Sequence, residues 1–239
     1  MVKNDNNTFV IIVAAGSGNR FGSHIPKQFV GLGAEHKPVL MHTVEAFSRF
    51  GFPLERIVVV LSENMADYWE DLCKQFAFTS PRIVFGGKTR FHSVRNALNS
   101  IDFKPGKRIL VHDGARPLVS SKVIERVLDG LSHALGVIPT VPVTDSLRKK
   151  TDDKNSVAVI RSDYMAVQTP QGFSADLIKR LYNREYKSKF TDDASFLDDA
   201  GIEISVVEGD PDNIKITTPS DLLIAEALLK ARNEHTSQF

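Results

Sequence analysis

Cysteine is almost absent from this chain. The single residue Cys73, among 239 residues, excludes an intrachain disulfide and a cysteine-rich zinc site, and it fits a reducing compartment. The seven histidines form no H-x-H or H-x-x-x-H pair, so a histidine metal site is not expected. No stretch approaches the roughly 18 apolar residues of a membrane span. We therefore expect a protein with no membrane partner.

A charge excess is also missing. The sequence has 30 Lys and Arg against 29 Asp and Glu, a formal net charge of +1, whereas nucleic-acid binders usually carry a clear basic excess. The balance leaves room for a local basic pocket that binds a small phosphorylated ligand. The apolar stretch Phe9–Ala15 is too short and too polar at its flanks for a secretory signal. We expect a buried first strand there and a cytoplasmic protein.

Short β-branched runs alternate with longer helical patterns along the whole chain. The predicted strands are Val10–Ala14, Arg56–Leu61, Arg82–Phe85, Arg108–His112, Val137–Val143 and Ile204–Val207. The predicted helices are Pro38–Phe50, Glu63–Phe76, Phe91–Asn99, Lys122–His133, Ala175–Tyr182 and Pro219–Arg232. Strands that are apolar throughout indicate a mostly parallel sheet covered by helices on both faces, a three-layer α/β fold. We expect one domain over residues 1–239.

One polar and charged segment, residues 144–161, interrupts this alternation. It contains Arg148-Lys149-Lys150 and then the strand-like Val157–Ile160, and it predicts a hairpin that stands off the main sheet. An isolated hairpin is marginally stable alone, so packing against a second subunit is one interpretation. A mobile surface loop is the other.

Two glycine-rich segments imitate known phosphate loops without matching them. A dinucleotide-binding G-x-G-x-x-G loop starting at Gly16 would need glycine at the position of Phe21. A P-loop ending in Gly87-Lys88-Thr89 would need glycine at the position of Arg82. A third interpretation combines the first glycine loop with Arg20 and Lys27, two cations that suit a triphosphate whose charge grows during transfer. Asp113, at the end of a buried strand, could then hold Mg²⁺.

Eight segments in a fixed order carry a resemblance to a known family. They are AAGSGNRFG, PKQF, GGKTRFHSV, VHDGARP, PVTDS, QTPQGF, TDDAS and GDPDNIKIT. In these segments the chain resembles the 2-C-methyl-D-erythritol 4-phosphate cytidylyltransferases of the non-mevalonate isoprenoid route. The resemblance implies a nucleotidyltransferase (Rossmann-like) α/β fold with a projecting β-arm that builds a homodimer. It also implies CTP as donor, Mg²⁺ as cofactor and release of pyrophosphate.

The resemblance implies a role for each matching residue. Positions implied to bind CTP are Ala14, Ala15, Gly16, Gly18, Gly87, Ser93 and Asp113, and Asp113 is also the implied metal ligand. Positions implied to bind the acceptor are Arg116, Ser146, Arg161, Thr169, Thr191 and Lys215. Catalytic roles fall to Arg20, Lys27, Arg161 and Lys215. Because Arg161 lies on the arm, it is expected to contribute to the substrate pocket of the partner subunit. Each pocket is then expected to collect four cations, Arg20, Lys27, Lys215 and an Arg161.

The chemistry of such a reaction can be argued from the reactants. A phosphomonoester acceptor is mostly dianionic near neutral pH, because its second pKa is about 6. It needs no activating base, and what it needs is positive charge that offsets the repulsion between two polyanions held in line. Three alternatives stay open at this point: a cytidylyltransferase for another polyol phosphate such as ribitol 5-phosphate, a non-catalytic nucleotide-binding module, and a P-loop NTPase.

Overall fold

The computed structural model describes residues 7–16 and 25–236, which alternate between strands and helices. In this part of the chain the strands are Thr8–Val13 (β1), Gly31–Leu32 (β2), Lys37–Pro38 (β3), Ile57–Leu61 (β4), Arg82–Phe85 (β5), Arg108–Asp113 (β6), Gly136–Pro142 (β7), Arg148–Lys150 (β8), Ser156–Ala158 (β9), Met165–Val167 (β10), Gln171–Ser174 (β11) and Ser205–Glu208 (β12). The helices are Val39–Phe50 (α1), Ala66–Gln75 (α2), Arg90–Ser100 (α3), Ser121–Gly130 (α4), Ala175–Tyr182 (α5), Ser195–Asp199 (α6) and Pro219–Thr236 (α7). None of these described helices has the length and apolar character needed to cross a membrane.

A central sheet of eight strands organises the described residues. Its order is β5-β4-β1-β6-β11-β7, and β7 also pairs with β10 and β12. The strands β5, β4, β1 and β6 are parallel neighbours, and β12 is parallel to β7. The predicted mostly parallel sheet is therefore confirmed. The antiparallel strands β10 and β11 were not among the predicted elements.

Helices cover the sheet on both faces, as the apolar strands predict. Because side chains alternate along a strand, Val10 and Ile12 of β1 face one layer and Ile11 faces the other. The first layer contains α1, α2 and α4, and the second contains α3, α5 and α6. The three-layer α/β architecture is confirmed.

The first helix shows how local sequence sets element boundaries. Pro38 precedes α1 in an extended conformation (φ −51°, ψ 137°), so the helix begins one residue later than predicted. Gly51 ends it at φ 116°, a conformation that favours glycine. The predicted helix over Glu63–Phe76 is divided, because Glu63–Met65 form a 3₁₀ turn before α2.

The segment 144–161 forms a hairpin separate from the central sheet, as predicted. Strands β8 and β9 pair antiparallel with each other, and Lys149 lies opposite Val157. The Asp152 carboxylate accepts the backbone N–H groups of Lys154 (2.9 Å) and Asn155 (2.8 Å), which holds the turn at the tip. We call residues 144–161 the arm.

Candidate active site

Three loops begin side by side at one edge of the sheet. The carboxyl ends of parallel strands β1, β4, β5 and β6 meet there, and in the strand register Val13 lies opposite Asp113. The backbone N–H of Gly86, just after β5, donates to the carbonyl of Leu61 at 2.7 Å. In open α/β sheets this edge is where ligands bind.

A buried side chain holds the loop after β1 in place through hydrogen bonds. The amide of Gln28 donates to the carbonyl oxygens of Ala14 (2.7 Å) and Gly16 (3.1 Å). Gln28 is 3% exposed and belongs to the 3₁₀ turn Lys27–Phe29. The turn that fixes the loop therefore also places Lys27. The predicted loop residues Gly18 and Arg20 lie outside the described residues.

The loop after β5 packs directly against the first loop. A Cβ atom on Gly86 would lie 2.5 Å from the Cβ of Ala15, so this approach requires glycine. The Ser93 hydroxyl accepts the N–H of Gly87 at 3.1 Å and donates to the Thr89 carbonyl at 3.0 Å. The start of α3 thus fixes the position of the second loop.

These loops enclose a cavity of about 600 Å³, a size typical of small-ligand sites. Eight of the predicted site residues line it: Ala14, Ala15, Gly16, Lys27, Gly87, Ser93, Asp113 and Lys215. Two further cations, Lys88 and Arg90, also line it. The cavity is therefore positively charged in a chain whose net charge is only +1, as a site for polyphosphates requires.

Three cations surround the Asp113 carboxylate. Lys215 Nζ lies 2.9 Å and Arg116 Nε 3.4 Å from Oδ2, and Arg90 Nη2 lies 3.8 Å from Oδ1. Burial on its own would raise the pKa of Asp113, but the three cations outweigh it and hold the pKa well below its ordinary value. Asp113 is therefore ionised at neutral pH. The predicted acceptor-binding residue Arg116 lies against it.

Sequence reasoning missed a second buried carboxylate beside the cavity. Arg90 Nη2 donates to Asp193 Oδ2 at 2.6 Å, and the hydroxyl of Tyr182 donates to the other oxygen of Asp193. Burial would lower the pKa of Arg90, but Asp193 and Asp113 raise it above its ordinary value. Burial and the neighbouring Asp193 raise the pKa of Tyr182, so its hydroxyl stays protonated and can donate.

The predicted acceptor-binding residue Thr169 lies behind Asp113. Its hydroxyl accepts the backbone N–H of Asp113 at 3.1 Å and lies 3.0 Å from His112 Nδ1. His112 Nε2 lies 3.1 Å from the carbonyl of Arg116, which can only accept. Nε2 therefore carries the proton, and the Thr169 hydroxyl donates to Nδ1. The network needs a neutral imidazole, and burial lowers the pKa of His112 to about 4.

This buried imidazole predicts a loss of stability in mild acid. The unfolded chain binds a proton at His112 below pH about 6.5, whereas the folded chain resists it until about pH 4. The free energy of unfolding should therefore fall as the pH decreases through this window, by up to about 3 kcal/mol. Urea unfolding at a series of pH values would measure the slope. His112→Gln should flatten it.

A matched control for this slope is His133→Gln, on the exposed surface after α4. It should keep the wild-type pH dependence. An unchanged slope in His112→Gln would show that other groups cause the acid sensitivity.

Three predicted residues lie away from the cavity of their own chain. Ser146 and Arg161 are exposed on the arm, where Arg161 Nη1 donates to the carbonyl of Thr144 at 2.5 Å. Thr191 is exposed, and its hydroxyl lies 3.4 Å from that of Ser195 at the start of α6. Next to it, the Asp192 carboxylate accepts the backbone N–H of Ser195, the first residue of α6, at 3.0 Å.

One carboxylate that lines the cavity, Asp113, could serve as a metal ligand. Within the described residues no group of three or more His, Cys, Asp or Glu side chains could hold a metal by itself. Mg²⁺ commonly takes one or two protein carboxylates and completes its shell with water and substrate phosphates. Asp113 offers one such carboxylate, and Arg90 Nη2 comes no closer to it than 3.8 Å, at Oδ1.

Four residues that shape this site were not among the predicted ones: Gln28, Gly86, Arg90 and Asp193. All four lie in the segments that carry the family resemblance, and membership of those segments is the feature by which the sequence could have indicated them. Arg90 and Asp193 are 103 positions apart, and no local pattern joins them. Thr217 also lines the cavity, and its hydroxyl donates to Asp221 at 2.6 Å.

Comparisons with known proteins identify the family of this chain. The family model described as 2-C-methyl-D-erythritol 4-phosphate cytidylyltransferase matches residues 8–231. A curated protein of that name from Bacteroides thetaiotaomicron is 46% identical over 221 residues, which cover 92% of this chain and 98% of the relative. The crystal structure of the Francisella tularensis protein of that name has a TM-score of 0.75 at 33% identity, covering 92% of this chain and 98% of that one. The Thermus thermophilus structure of that name has a TM-score of 0.73 at 31% identity, covering 93% and 98%. The chain belongs to the 2-C-methyl-D-erythritol 4-phosphate cytidylyltransferase family.

Proposed function

We propose that this chain transfers the cytidylyl group of CTP to 2-C-methyl-D-erythritol 4-phosphate, giving CDP-methylerythritol and pyrophosphate. The observation that carries the proposal is the positively charged cavity at the sheet edge, where the loop after β1, Lys27, Lys215 and Asp113 meet. The names of its relatives support the substrates. The product would serve isoprenoid precursor synthesis.

The reaction is a direct displacement at phosphorus. An oxygen of the acceptor phosphate forms a bond to the α-phosphorus of CTP, and the bond from that phosphorus to the bridging oxygen of pyrophosphate breaks. The acceptor is already ionised, so no proton has to be removed and no covalent enzyme intermediate is needed. The protein's task is to hold two polyanions in line and to offset their repulsion.

Two lysines that line the cavity, Lys27 and Lys215, supply positive charge that offsets this repulsion. Lys27 stands at the turn beside the loop after β1, where we place the triphosphate, and its charge stabilises the transition state together with Arg20. Lys215 also lines the cavity, where it pairs with Asp113. We place the acceptor phosphate there, where it can take over the Lys215 ammonium. Gly87 and Ser93 border the cytosine end.

We propose Mg²⁺ as the cofactor, held by Asp113 and the phosphates of CTP. When bound, the ion neutralises phosphate charge and favours departure of pyrophosphate. The ionised Asp113 carboxylate supports this assignment.

Pyrophosphate release tests the activity and the acceptor. The purified protein is mixed with CTP, Mg²⁺ and one polyol phosphate at a time. We expect release with 2-C-methyl-D-erythritol 4-phosphate and little with ribitol 5-phosphate. Release with ribitol 5-phosphate alone would assign a different acceptor, and no release with either would contradict the catalytic proposal.

We further propose that the arm joins two copies of the chain. Exposed apolar side chains support this, because two of them, Val157 (49% exposed) and Ile160 (68% exposed), lie on a hairpin that is marginal alone. The adjoining edge strand adds exposed Met165 and Val167. In such a dimer we assign Arg161 to the acceptor pocket of the partner subunit.

Charged substitutions on the arm should separate the subunits. Val157→Asp combined with Ile160→Asp places carboxylates where apolar contacts are proposed, so the dimer should dissociate at concentrations at which the wild type stays assembled. Sedimentation velocity at several concentrations measures this. Turnover per subunit should fall with dissociation, because the proposed contribution of Arg161 is then lost.

Leu135→Asp is the matched control. Leu135 is 53% exposed but precedes β7 at the end opposite the arm. It should leave the sedimentation coefficient unchanged. A wild-type coefficient in the arm variant at every concentration would contradict the arm interface, and deletion of residues 151–156 would then test the tip separately.

A further inference from the structure

The Arg90 guanidinium lies unequally between two carboxylates. Its Nη2 is 2.6 Å from Asp193 Oδ2 and 3.8 Å from Asp113 Oδ1. Arg90 lines the cavity, and its side chain is 31% exposed, whereas that of Asp193 is fully buried. The stronger contact of this arginine is therefore with the carboxylate that no ligand can reach.

Asp193 is fixed as well as buried. The hydroxyl of Tyr182 donates to it, and the Tyr182 ring packs against Phe91 (centroids 4.9 Å apart) and Phe196 (4.7 Å). A buried carboxylate costs free energy unless it is paired and hydrogen-bonded. Here both conditions are met, and the pair holds the guanidinium at one place at the cavity wall.

The three cations around Asp113 make their closest contacts with different oxygens of its carboxylate. Lys215 and Arg116 both lie against Oδ2, at 2.9 and 3.4 Å. The closest approach of Arg90 to Asp113 is to the other oxygen, Oδ1, and at 3.8 Å it is too long for a hydrogen bond. An arginine released from Asp193 could close on Oδ1 in a direct ion pair, and such a contact would compete with any other cation for that oxygen.

We propose that Asp193 is a positioning residue that draws Arg90 away from Asp113, so that the Oδ1 oxygen stays available for the divalent cation that enters with the nucleotide. This proposal rests on the proposed function of the cavity as a site for CTP and Mg²⁺. Asp193 acts through Arg90 and touches no substrate. Tyr182 supports it by holding the Asp193 carboxylate in place.

Calorimetric titration with CTP at a series of Mg²⁺ concentrations tests the proposal without turnover. In Asp193→Asn, Arg90 should move onto Asp113. The Mg²⁺ concentration at which CTP affinity reaches half its maximal enhancement should then rise by about tenfold or more, the usual size of effects from residues behind a metal ligand. The affinity for CTP without Mg²⁺ should not fall.

A double variant separates positioning from a structural role. Asp193→Asn combined with Arg90→Met removes the competing guanidinium, so the Mg²⁺ requirement should return towards the wild-type value. A merely structural role for Asp193 predicts that the double variant is at least as impaired as the single one. That result, or an unchanged Mg²⁺ requirement in Asp193→Asn, would overturn the proposal.

If Asp193→Asn does not fold, Tyr182→Phe provides a second test of the proposal. It removes one hydrogen bond but leaves the Asp193 charge, so it should raise the Mg²⁺ requirement in the same direction by a smaller factor. In that case an unchanged requirement in Tyr182→Phe overturns the proposal. Failure of the proposed function is distinct, because the wild type itself would then show no Mg²⁺-enhanced binding of CTP.

Discussion

Lys27→Ala is expected to lower kcat by about 10²–10³, the usual cost of removing one fixed group that stabilises transition-state charge. Lys27 lines the cavity beside the loop after β1 and follows Pro26 in a tight turn, so its ammonium is held near the place assigned to the triphosphate. Charge on the phosphates grows during the displacement. The loss should therefore appear mainly in kcat, with a smaller change in the affinity for CTP.

Two control variants, Lys37→Ala and Lys27→Arg, test whether the effect comes from the charge at this position. Lys37→Ala removes the same charge ten positions away, where Lys37 pairs with Glu45 at 2.8 Å and does not line the active-site cavity. It should leave kcat near the wild-type value. Lys27→Arg keeps the charge and should recover part of the loss. If Lys27→Ala weakened CTP binding but kept kcat, the residue would bind the ground state and our transition-state role would be wrong.

The parts of the fold that follow from sequence are those in which a clear apolar pattern is bounded by turn-forming or polar residues. Strand β5 and helix α5 have the predicted boundaries, because their neighbours in sequence are turn formers or polar residues. Strand β11 escaped prediction because Gln171-Gly172-Phe173-Ser174 has little intrinsic strand preference. Its conformation comes from insertion between β6 and β7, a tertiary effect. A Cβ on Gly172 would lie 2.6 Å from the Val127 side chain, so close packing requires that glycine.

The residues of the site also fall into two classes, those whose place follows from local sequence and those whose contacts form only in the folded chain. Asp113, which ends strand β6, and Gly16, in the glycine loop, could be placed at this edge of the sheet from their positions in the sequence. The hydrogen bond from Gln28 to Ala14 and the ion pair of Arg90 with Asp193 could not be predicted, because these contacts join residues that meet only in the folded chain. Ser146 and Arg161 lie on the arm, so a single chain does not bring them to its own cavity.

Asp113→Asn is expected to reduce kcat/KM for CTP by about 10²–10³ and to lower stability by about 3 kcal/mol. The substitution keeps the shape of the side chain but removes the negative charge that the three surrounding cations share. These cations then repel each other in a largely buried place, and the proposed Mg²⁺ ligand is lost. Initial rates and urea unfolding measure the two effects.

An added polyanion distinguishes this electrostatic cause from simple misfolding. Pyrophosphate without metal can replace the missing negative charge, so it should raise the melting temperature of Asp113→Asn more than that of the wild type. The control is Asp212→Asn, because Asp212 pairs with Arg232 at 3.5 Å with its side chain 48% exposed, and exposed pairs contribute about 0–1 kcal/mol. If pyrophosphate stabilised Asp113→Asn no more than the wild type, the three cations would not be what makes the variant unstable. The proposed role of Lys215 in receiving the acceptor phosphate would then fail as well.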